Sequence, residues 1–486
     1  MMATPFPMRI VVWGINYSPE VAGIAPFNRG MCRFLAGRGH QVSMVSSFAY
    51  YPAWRKMAGD RYRLFRTDVL DEIPVHRCWH YVPARATALQ RILHEFSFGA
   101  ISFLRVLSLP RADLYIVVSP PLILGPLARL ACWLKRSRYV FHVQDLQPDA
   151  AVGVGMMSKH GILTKALHGM AAQAYRHASL VSGISHSMMM AFAEKRVPPK
   201  KRYLLPNWVE LDEAEDLRSA AESPGSKVEG WNRETEAMNT GGGELGKSSV
   251  TAIAEESEDR TARQAARNGG GRAAIDRWRA RYNIPQDAFV ASYSGNLGKK
   301  QGLEVLIDAA RLLRNGKRQG SPSIVILIVG DGAMRPALEA HFHKDPLSNA
   351  RLLPLLPEAD YRAMMEASDV SLITQATGTG QFCLPSKLLS VLIAGKPVIA
   401  AADETSELTR AVREGNFGVV VPPEDPGAIA QALTALAARP ADLARLGRTG
   451  ARWVKRFEAS SVLGQFEHRF QEIVCGSLAE SREGWN

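Results

Sequence analysis

Short, nearly continuous apolar runs alternate with helical stretches through most of this chain, and this alternation constrains the fold more than any other feature. Seven strand-like runs lie in the first half, at 9–13, 41–47, 74–80, 113–119, 138–145, 179–185 and 202–208. Six more lie in the second half, at 289–295, 323–331, 350–356, 369–374, 397–401 and 417–423. Strands rich in Val, Ile and Leu that alternate with helices form parallel sheets covered on both faces. We predict an α/β protein with two Rossmann-like, doubly wound domains and a cleft between them.

The stretch between the two halves has a different composition. Residues 212–275 are rich in Glu, Ser, Gly, Asn and Arg and hold few large apolar side chains. Such a segment buries too little surface to order itself, so we predict a disordered insertion or linker. The predicted units are an N-terminal domain at 1–211, this linker at 212–275, a C-terminal domain at 276–458 and a closing helical segment at 459–486.

Cysteine usage and the apolar runs indicate the compartment. The five cysteines (Cys32, Cys78, Cys132, Cys383 and Cys475) are scattered without a C-x-x-C pair. This pattern is typical of reduced core thiols in a cytoplasmic protein rather than of disulfides or a zinc site. We expect neither a secretory signal before the strand at 9–13 nor an apolar run long enough to span a bilayer.

The positive charge is concentrated in the N-terminal half. Residues 1–211 hold roughly 26 Lys and Arg against about 11 Asp and Glu. Anionic lipid and a phosphate-bearing substrate are both candidate partners; without a nucleic-acid fold signature, we do not expect nucleic acid. Basic and aromatic residues mix at 50–66 and 88–107, which favours either a membrane-surface patch or an ordinary helix packed on a sheet.

A lysine at the start of a short helix raises a specific question. Pro385, Ser386 and Lys387 open an apolar run that ends at Gly395, which predicts one short buried helix. A cation at the positive end of a helix dipole costs about 0.3–1 kcal/mol. Either Lys387 bends away into water, or an anion such as phosphate binds there together with the helix amides.

Glycine-rich turns follow three strands of the second half. They contain Gly295, Asn296, Gly298, Lys299, Lys300, Gly330, Gly332 and the segment 375–380. In a parallel sheet these turns share one edge, where glycines let the backbone approach a ligand and Lys299, Lys300 and Lys387 supply charge to a diphosphate. The chain has neither a Walker loop nor a D-x-D turn, so we expect no metal ion and no other cofactor.

Together these motifs resemble the GT-B glycosyltransferases of family 4, in particular the WcaI-type transferases of colanic acid and related exopolysaccharides. The resemblance covers nearly the whole chain except 212–275. It is carried by INYSPEVAG (15–23), HVQDLQPDA (142–150), LPNW (205–208), YSGNLGKKQGLEVLIDAA (293–310), VGDG (329–332), LPSKLL (384–389) and AGKPVIA (394–400). It implies a GT-B fold, a nucleotide sugar held mainly by the second domain, and a final helix that crosses back onto the first.

The resemblance also implies roles for single residues. Asn296 and Lys299 lie in the family's diphosphate loop, and Pro385, Ser386 and Lys387 provide its second phosphate contact. Gly23 lets the first domain approach the diphosphate. Leu355, at the strand end before Pro357, lies beside the nucleobase.

One departure concerns ribose recognition. Many family members carry two glutamates eight positions apart, and here Phe382 and Ser390 occupy those places. Ser390 offers at most one weaker hydrogen bond to the ribose. Glu404 or Glu407 could reach in from the next turn, although both more often cap or solvate a helix.

The mechanism implied is retaining, with Lys299 and Lys387 stabilising the leaving diphosphate. Asp145 and Asp149 could orient the acceptor hydroxyl, whereas His142 and His186 are more typical of structural positions. We therefore expect a peripheral enzyme on the inner face of the cytoplasmic membrane. Its donor would be a UDP- or GDP-sugar and its acceptor a polyprenyl-diphosphate-linked glycan. The alternatives are a sugar-nucleotide 2-epimerase of the same fold and a non-catalytic subunit that binds nucleotide sugar.

Overall fold

The computed structural model describes residues 7–20, 23–51, 54–83, 88–147, 149, 161–211, 273–316, 322–380 and 384–483. Nearly all of the predicted linker lies outside these residues, as do Phe382 and Cys383. The described chain forms two domains, each built on one twisted sheet with helices on both faces.

The first domain contains an eight-stranded sheet with the order β3-β4-β2-β1-β5-β6-β7-β8. All neighbours pair in parallel except β3 and β4, which form an antiparallel hairpin at the edge. The strands are β1 (Arg9–Trp13), β2 (Gln41–Ser47), β3 (Phe65–Leu70), β4 (Ile73–Cys78), β5 (Leu114–Ser119), β6 (Arg138–Val143), β7 (Leu180–Gly183) and β8 (Arg202–Leu204).

Helices cover both faces of this sheet. They are α1 (Ala25–Gly37), α2 (Ala88–Ser108), α3 (Leu124–Lys135), α4 (Ile162–His177) and α5 (His186–Glu194). Helices α2 to α5 share one apolar core with one face of the sheet. The other face packs against α1 and against a helix from the end of the chain.

The second domain contains a six-stranded, wholly parallel sheet with the order β11-β10-β9-β12-β13-β14. The strands are β9 (Phe289–Ser294), β10 (Ile324–Val329), β11 (Ala350–Leu353), β12 (Val370–Thr374), β13 (Val398–Ala401) and β14 (Gly418–Val421). The central strands are buried along their length, as continuous apolar runs require.

The helices of this domain also lie in two layers. They are α6 (residues 273–281), α7 (Glu304–Asn315), α8 (Arg335–Lys344), α9 (Glu358–Ala367), α10 (Ser386–Ile393), α11 (Glu407–Gly415), α12 (Pro426–Ala437) and α13 (Pro440–Trp453). One further helix, α14 (Ala459–Glu483), follows them. The predicted α/β class and the thirteen predicted strands are confirmed, with strand ends shifted by a few residues.

The last helix, α14, leaves the second domain and packs on the first. Phe466 and Phe470 are buried beside α1 and the sheet, with their ring centroids 5.2 Å apart. The Glu467 carboxylate accepts hydrogen bonds from Arg38 (2.9 Å) and lies 2.9 Å from Nε2 of His40. Two backbone hydrogen bonds hold the chain where it crosses between the domains: the Val209 amide donates to the Phe457 carbonyl, and the Ala459 amide donates to the Val209 carbonyl.

Strand β3 was missed by the sequence analysis, which treated residues 50–66 as a basic aromatic stretch. The hairpin turn between β3 and β4 is Asp71-Glu72, with both residues at positive φ. Hairpins of this kind usually contain glycine or asparagine, so the sequence lacks the usual turn signal.

The cysteine and membrane predictions can be compared with the described residues. Cys32, Cys78 and Cys132 are buried free thiols, whereas Cys383 and the side chain of Cys475 lie outside the described part. Within the described segments, no helix combines the length and the hydropathy needed to cross a bilayer.

We predict that Phe466→Ala weakens the attachment of α14 to the first domain. Removing a fully buried phenyl ring typically costs about 3–5 kcal/mol, so the denaturant midpoint followed by circular dichroism should fall clearly. The matched control is Leu312→Ala, because Leu312 is 47 % exposed on α7; exposed positions usually change stability by within about 0.5 kcal/mol. Equal midpoints for the two variants would contradict this packing role.

Candidate active site

Two glycine turns at the carboxyl edge of the second sheet pack directly on each other. A Cβ atom on Gly330 would lie 1.9 Å from the carbonyl oxygen of Gly295, and one on Gly332 would lie 2.6 Å from that of Leu297. Gly330 and Gly332 have φ values of +146° and +153°. The Leu297 amide donates to the Asp331 carbonyl at 2.8 Å. Only glycine fits at this contact, because the backbones approach too closely for a side chain.

Lys387 projects beneath the first of these turns. Its Nζ lies 3.6 Å from the centroid of the Tyr293 ring and 4.0 Å from the position that a Cβ on Gly295 would take. The Nζ atom is buried and, among the described residues, has no hydrogen-bond partner. Burial lowers the pKa of Lys387 to about 7. The alternative of a lysine that bends away into water is therefore wrong for this residue.

Hydrogen bonds to backbone carbonyls hold the remaining parts of these turns together. The Tyr293 hydroxyl donates to the Asn296 carbonyl at 2.8 Å. The Lys300 carbonyl accepts the Ala376 amide at 2.8 Å, which joins the third turn to the first. A Cβ on Gly298 would lie 3.1 Å from Nδ2 of Asn296, so the Asn296 side chain folds back over the loop. The structure thus gathers the three turns at one edge.

The predicted lysines do not share one environment. Lys299 opens a 3-10 turn (Lys299–Gln301) and its side chain is exposed. Lys300 is also exposed, and its charge acts on Asp145 across the cleft. Of the three, Lys387 alone has a buried ammonium group, and we take it as the principal cation of the site.

Other predicted donor residues occupy separate places. Leu355 is exposed just beyond β11. Pro385 caps α10, and Ser386 follows it; both line an interdomain cavity of about 240 Å³ together with Ser185 and His186. Ser390 is exposed on α10. Ser386 and Lys387 are thus neighbours in sequence that serve different surfaces, one in this cavity and one under the glycine turn.

In the first domain, Gly23 has a φ of +69° and precedes α1. The nearby Glu20 was not singled out from the sequence. Its buried carboxylate accepts the amides of Tyr50 (2.9 Å) and Tyr51 (3.0 Å) and the side chain of Asn16 (2.8 Å). Burial raises the pKa of Glu20 against these hydrogen bonds. Glu20 therefore ties the loop after β1 to the loop after β2, and its position in the loop that follows the first strand was the available signal.

Asp145 and Asp149 follow β6 but have different surroundings. Burial raises the pKa of Asp145, opposed by Lys300 from the second domain and by the Leu146 amide. Asp149 forms an ion pair with Lys195 at 2.9 Å. Asp145 therefore faces the cleft, while Asp149 is engaged with its own domain.

A third carboxyl group, on Glu95 of α2, lies near Asp145. Gln147 donates to it at 3.0 Å and accepts the Leu122 amide at 3.1 Å. Burial, and to a smaller extent Asp145, raise the pKa of Glu95 to about 7. Its place in the middle of a predicted helix gave no sign of this pairing.

The two histidines noted from the sequence have different surroundings. His142 is fully buried, with Ser182 Oγ 2.9 Å from its Nδ1 and Gln144 Nε2 2.8 Å from its Nε2. Burial lowers the pKa of His142 to about 3. His186 begins α5 and lines the interdomain cavity.

The two candidate ribose glutamates point elsewhere. Glu404 is exposed and pairs with Arg413 at 2.6 Å. Glu407 is buried, accepts the Ser187 amide at 2.7 Å and also contacts the Ser187 hydroxyl and Arg410. Glu407 therefore binds the start of α5 in the first domain. In the described part of the chain, no three His, Cys, Asp or Glu side chains converge as metal ligands would.

Comparison with known families gives two matches that follow the domain division. Residues 22–208 match the glycosyl transferase 4-like domain, and residues 288–439 match the glycosyl transferases group 1 family. Among curated proteins, WcaI of Escherichia coli K12, named as a colanic acid biosynthesis glycosyl transferase, is 29 % identical over 406 residues, which is 82 % of this chain and 85 % of WcaI.

Solved structures share the whole architecture at low identity. Sucrose-phosphate synthase from Thermosynechococcus elongatus is 15 % identical, with a TM-score of 0.64 over 96 % of this chain and 99 % of that one. HepE of Anabaena in complex with UDP-glucose is also 15 % identical, with a TM-score of 0.60 over 97 % of this chain and all (100 %) of that one.

The fold and these matches define the class as glycosyltransferases of the GT-B type. The chain matches one glycosyltransferase domain family in each of its two domains, and it is similar to WcaI along most of its length.

We predict that Gly330→Ala disrupts the paired glycine turns. The added methyl group would overlap the Gly295 carbonyl, and the alanine at position 330 would have to adopt a positive φ that alanine rarely adopts. The free energy of unfolding should therefore fall by more than about 1 kcal/mol. Gly169→Ala is the control, because nothing lies within 4 Å of its Cβ position on α4 and alanine favours helices. A Gly330→Ala protein as stable as wild type in chemical unfolding would refute the close contact.

Proposed function

We propose that this glycosyltransferase moves a sugar, with retention of anomeric configuration, from a UDP- or GDP-sugar to a polyprenyl-diphosphate-linked glycan. The product would serve colanic-acid-like exopolysaccharide synthesis at the inner face of the cytoplasmic membrane. The observation that supports binding of the nucleotide-sugar donor is the buried ammonium of Lys387 beneath the glycine turns.

The donor diphosphate is the ligand that suits this site. A buried cation without a hydrogen-bonding acceptor is costly, and an anion removes that cost. The glycine backbone lets phosphate oxygens come close, and the start of α10 adds helix amides of the right polarity. UDP-glucose binds HepE, which has the same fold, and this supports a sugar nucleotide as the ligand.

In the proposed reaction, the bond between the anomeric carbon and the diphosphate oxygen breaks while the acceptor oxygen bonds to the same face of that carbon. The acceptor proton passes to the departing diphosphate, so no separate base is required. Lys387 stabilises the negative charge that develops on the leaving group, and preorganised charge of this kind is often the largest catalytic contribution. In this scheme the lysines and helix amides supply that charge without a metal ion.

The acceptor side rests on the first domain. Asp145 would orient the acceptor hydroxyl, since it faces Lys300 across the cleft. The excess of Lys and Arg in residues 1–211 suits an acceptor that carries a diphosphate. The resemblance to WcaI over most of the chain supports exopolysaccharide synthesis as the setting.

We expect Lys387→Ala to reduce turnover by about 10²–10³-fold, because it removes one preorganised charge from the leaving group. The assay follows release of UDP or GDP from a panel of sugar nucleotides in the presence of a polyprenyl-diphosphate glycan. Lys344→Ala serves as the control, since Lys344 is an exposed lysine at the end of α8. A Lys387→Ala enzyme with wild-type turnover would overturn the proposed site.

We also expect donor binding to weaken as the pH rises above about 7. Lys387 has a pKa of about 7 without donor, and a bound diphosphate favours the charged form and raises this pKa. Binding then requires uptake of a proton above pH 7, so the affinity should fall by up to about tenfold per pH unit. Calorimetric titration of the sugar nucleotide between about pH 6 and 9 measures this slope.

The control for the pH experiment is Lys387→Met, which keeps the side-chain length and removes the charge. Its binding should be weaker and nearly independent of pH over the same range. A wild-type slope in this variant would assign the titration to another group. Release of an epimerised sugar without acceptor would instead favour the 2-epimerase alternative, and binding without turnover would favour a non-catalytic subunit.

A further inference from the structure

Helices α2 and α3 form one continuous outer surface on the first domain. They pack closely because a Cβ atom on Gly99 would lie only 2.9 Å from Cγ2 of Ile123 and 3.2 Å from Cδ1 of Leu127. Both helices bury their inner sides against the same face of the sheet. The opposite face of the sheet is covered by α1 and α14. In the described residues, the outward side of α2 and α3 carries no such cover.

This surface exposes large apolar side chains in a regular pattern. Four on α2 follow helical spacing and three lie near the end of α3: Leu89, Leu93, Phe96, Leu104, Leu130, Trp133 and Leu134. Leu89 and Trp133 are 75 % and 74 % exposed. The buried side of α2, by contrast, includes Phe98 and Val106. The helix therefore has two apolar sides, of which the core uses one.

The charges on the same surface are almost all positive. Of the basic residues on the two helices, Arg129 and Lys135 lie near the exposed apolar side chains of α3, and the exposed Arg136 follows directly. Arg91 and Arg105 of α2 instead turn toward Trp54 and Thr67. The one acidic residue of the two helices is Glu95, which is half-buried and bonded to Gln147. Exposed apolar groups among basic side chains match a bilayer that carries anionic headgroups. A protein partner would more often meet a mixed-charge rim.

The position of the surface also fits the cleft. Helix α2 starts after the carboxyl end of β4 and runs back toward the start of β5, so its first turns lie at the edge of the sheet where Asp145 is found. Glu95, on the second turn, is already close enough to Asp145 to respond to its charge. A bilayer along α2 would therefore lie beside the opening of the cleft.

We propose that the outward face of α2 and α3, defined by the seven apolar residues above with Arg129 and Arg136, is a docking surface for anionic phospholipid bilayers. This proposal rests on the proposed function in one respect: docking would bring the lipid-linked acceptor close to Asp145. The binding surface itself is independent of which sugar is transferred.

The test is flotation of the full-length protein with vesicles of phosphatidylcholine alone or of phosphatidylcholine mixed with phosphatidylglycerol. We expect binding to the mixed vesicles, and much weaker binding to the neutral ones and at high salt. The double variant Leu93→Ser/Trp133→Ser should bind at least about tenfold less. Arg129→Glu/Arg136→Glu should lose about fivefold or more for each changed residue.

Matched controls lie on the second domain. Leu312→Ser replaces a comparably exposed leucine, and Arg448→Glu reverses an exposed charge on α13; both should bind vesicles as wild type does. Thermal unfolding confirms that each variant is folded, and the charge variant tests the surface even if the apolar variant unfolds.

The failure of this proposal is separable from failure of the proposed function. The docking surface is refuted if the wild-type protein does not bind the mixed vesicles, or if the surface variants and the controls bind them equally. This conclusion does not depend on which sugar the enzyme transfers. If the surface variants lose vesicle binding but still release nucleotide with a short-chain, detergent-soluble acceptor, the surface is supported. If the wild-type protein turns over no sugar nucleotide, the proposed function is refuted, but the vesicle-binding result is unaffected.

Discussion

The buried ammonium of Lys387 is the constraint from which the second domain is best understood. Burial lowers its pKa from 10.5 to about 7, which corresponds to roughly 5 kcal/mol at 1.36 kcal/mol per pKa unit. Whole domains are stable by only about 5–15 kcal/mol. The contact with the Tyr293 ring recovers a part of this cost, about 2 kcal/mol in a desolvated setting. An arrangement this expensive is typical of a site whose ligand completes it.

The glycine turns determine what separates this buried group from the edge of the sheet. A parallel sheet brings the ends of β9, β10 and β12 to one edge, and each turn there would normally carry side chains above the lysine. Glycine at positions 295, 330 and 332 removes those side chains and lets the backbones touch. The same residues therefore allow the close packing and leave only glycine backbone between the buried cation and the edge of the sheet. A helix start alone, without these glycines, would present its amides to a blocked surface.

Features that depend on neighbouring residues could be predicted from the sequence, whereas contacts between residues distant in the chain could not. The strands and the short helix after Pro385 follow from local periodicity and helix punctuation, and both were predicted. The grouping of the three turns followed from parallel topology. The Asp71-Glu72 hairpin was missed because its turn lacks glycine. Glu20, Glu95 and Glu407 were missed, or assigned elsewhere, because their partners are distant in the chain: Tyr50, Gln147 and Ser187. Neither propensity nor spacing encodes such pairings.

The two contacts between the domains differ in chemical character, and this difference bears on how the cleft works. At one end, α14 buries phenylalanine rings in the first domain, and Val209 bonds to the chain on either side of the crossing. Separating these rings from the first domain would expose apolar surface to water, which is unfavourable. Nearer the cleft, Glu407 holds the first turn of α5 through Ser187, beside the cavity lined by Pro385 and Ser386. A carboxylate with hydrogen-bond donors from the other domain can exchange them for water, as interfaces between moving domains commonly do. The geometry thus places an apolar attachment away from the candidate site and an exchangeable polar one next to it, where the proposed donor would enter and leave.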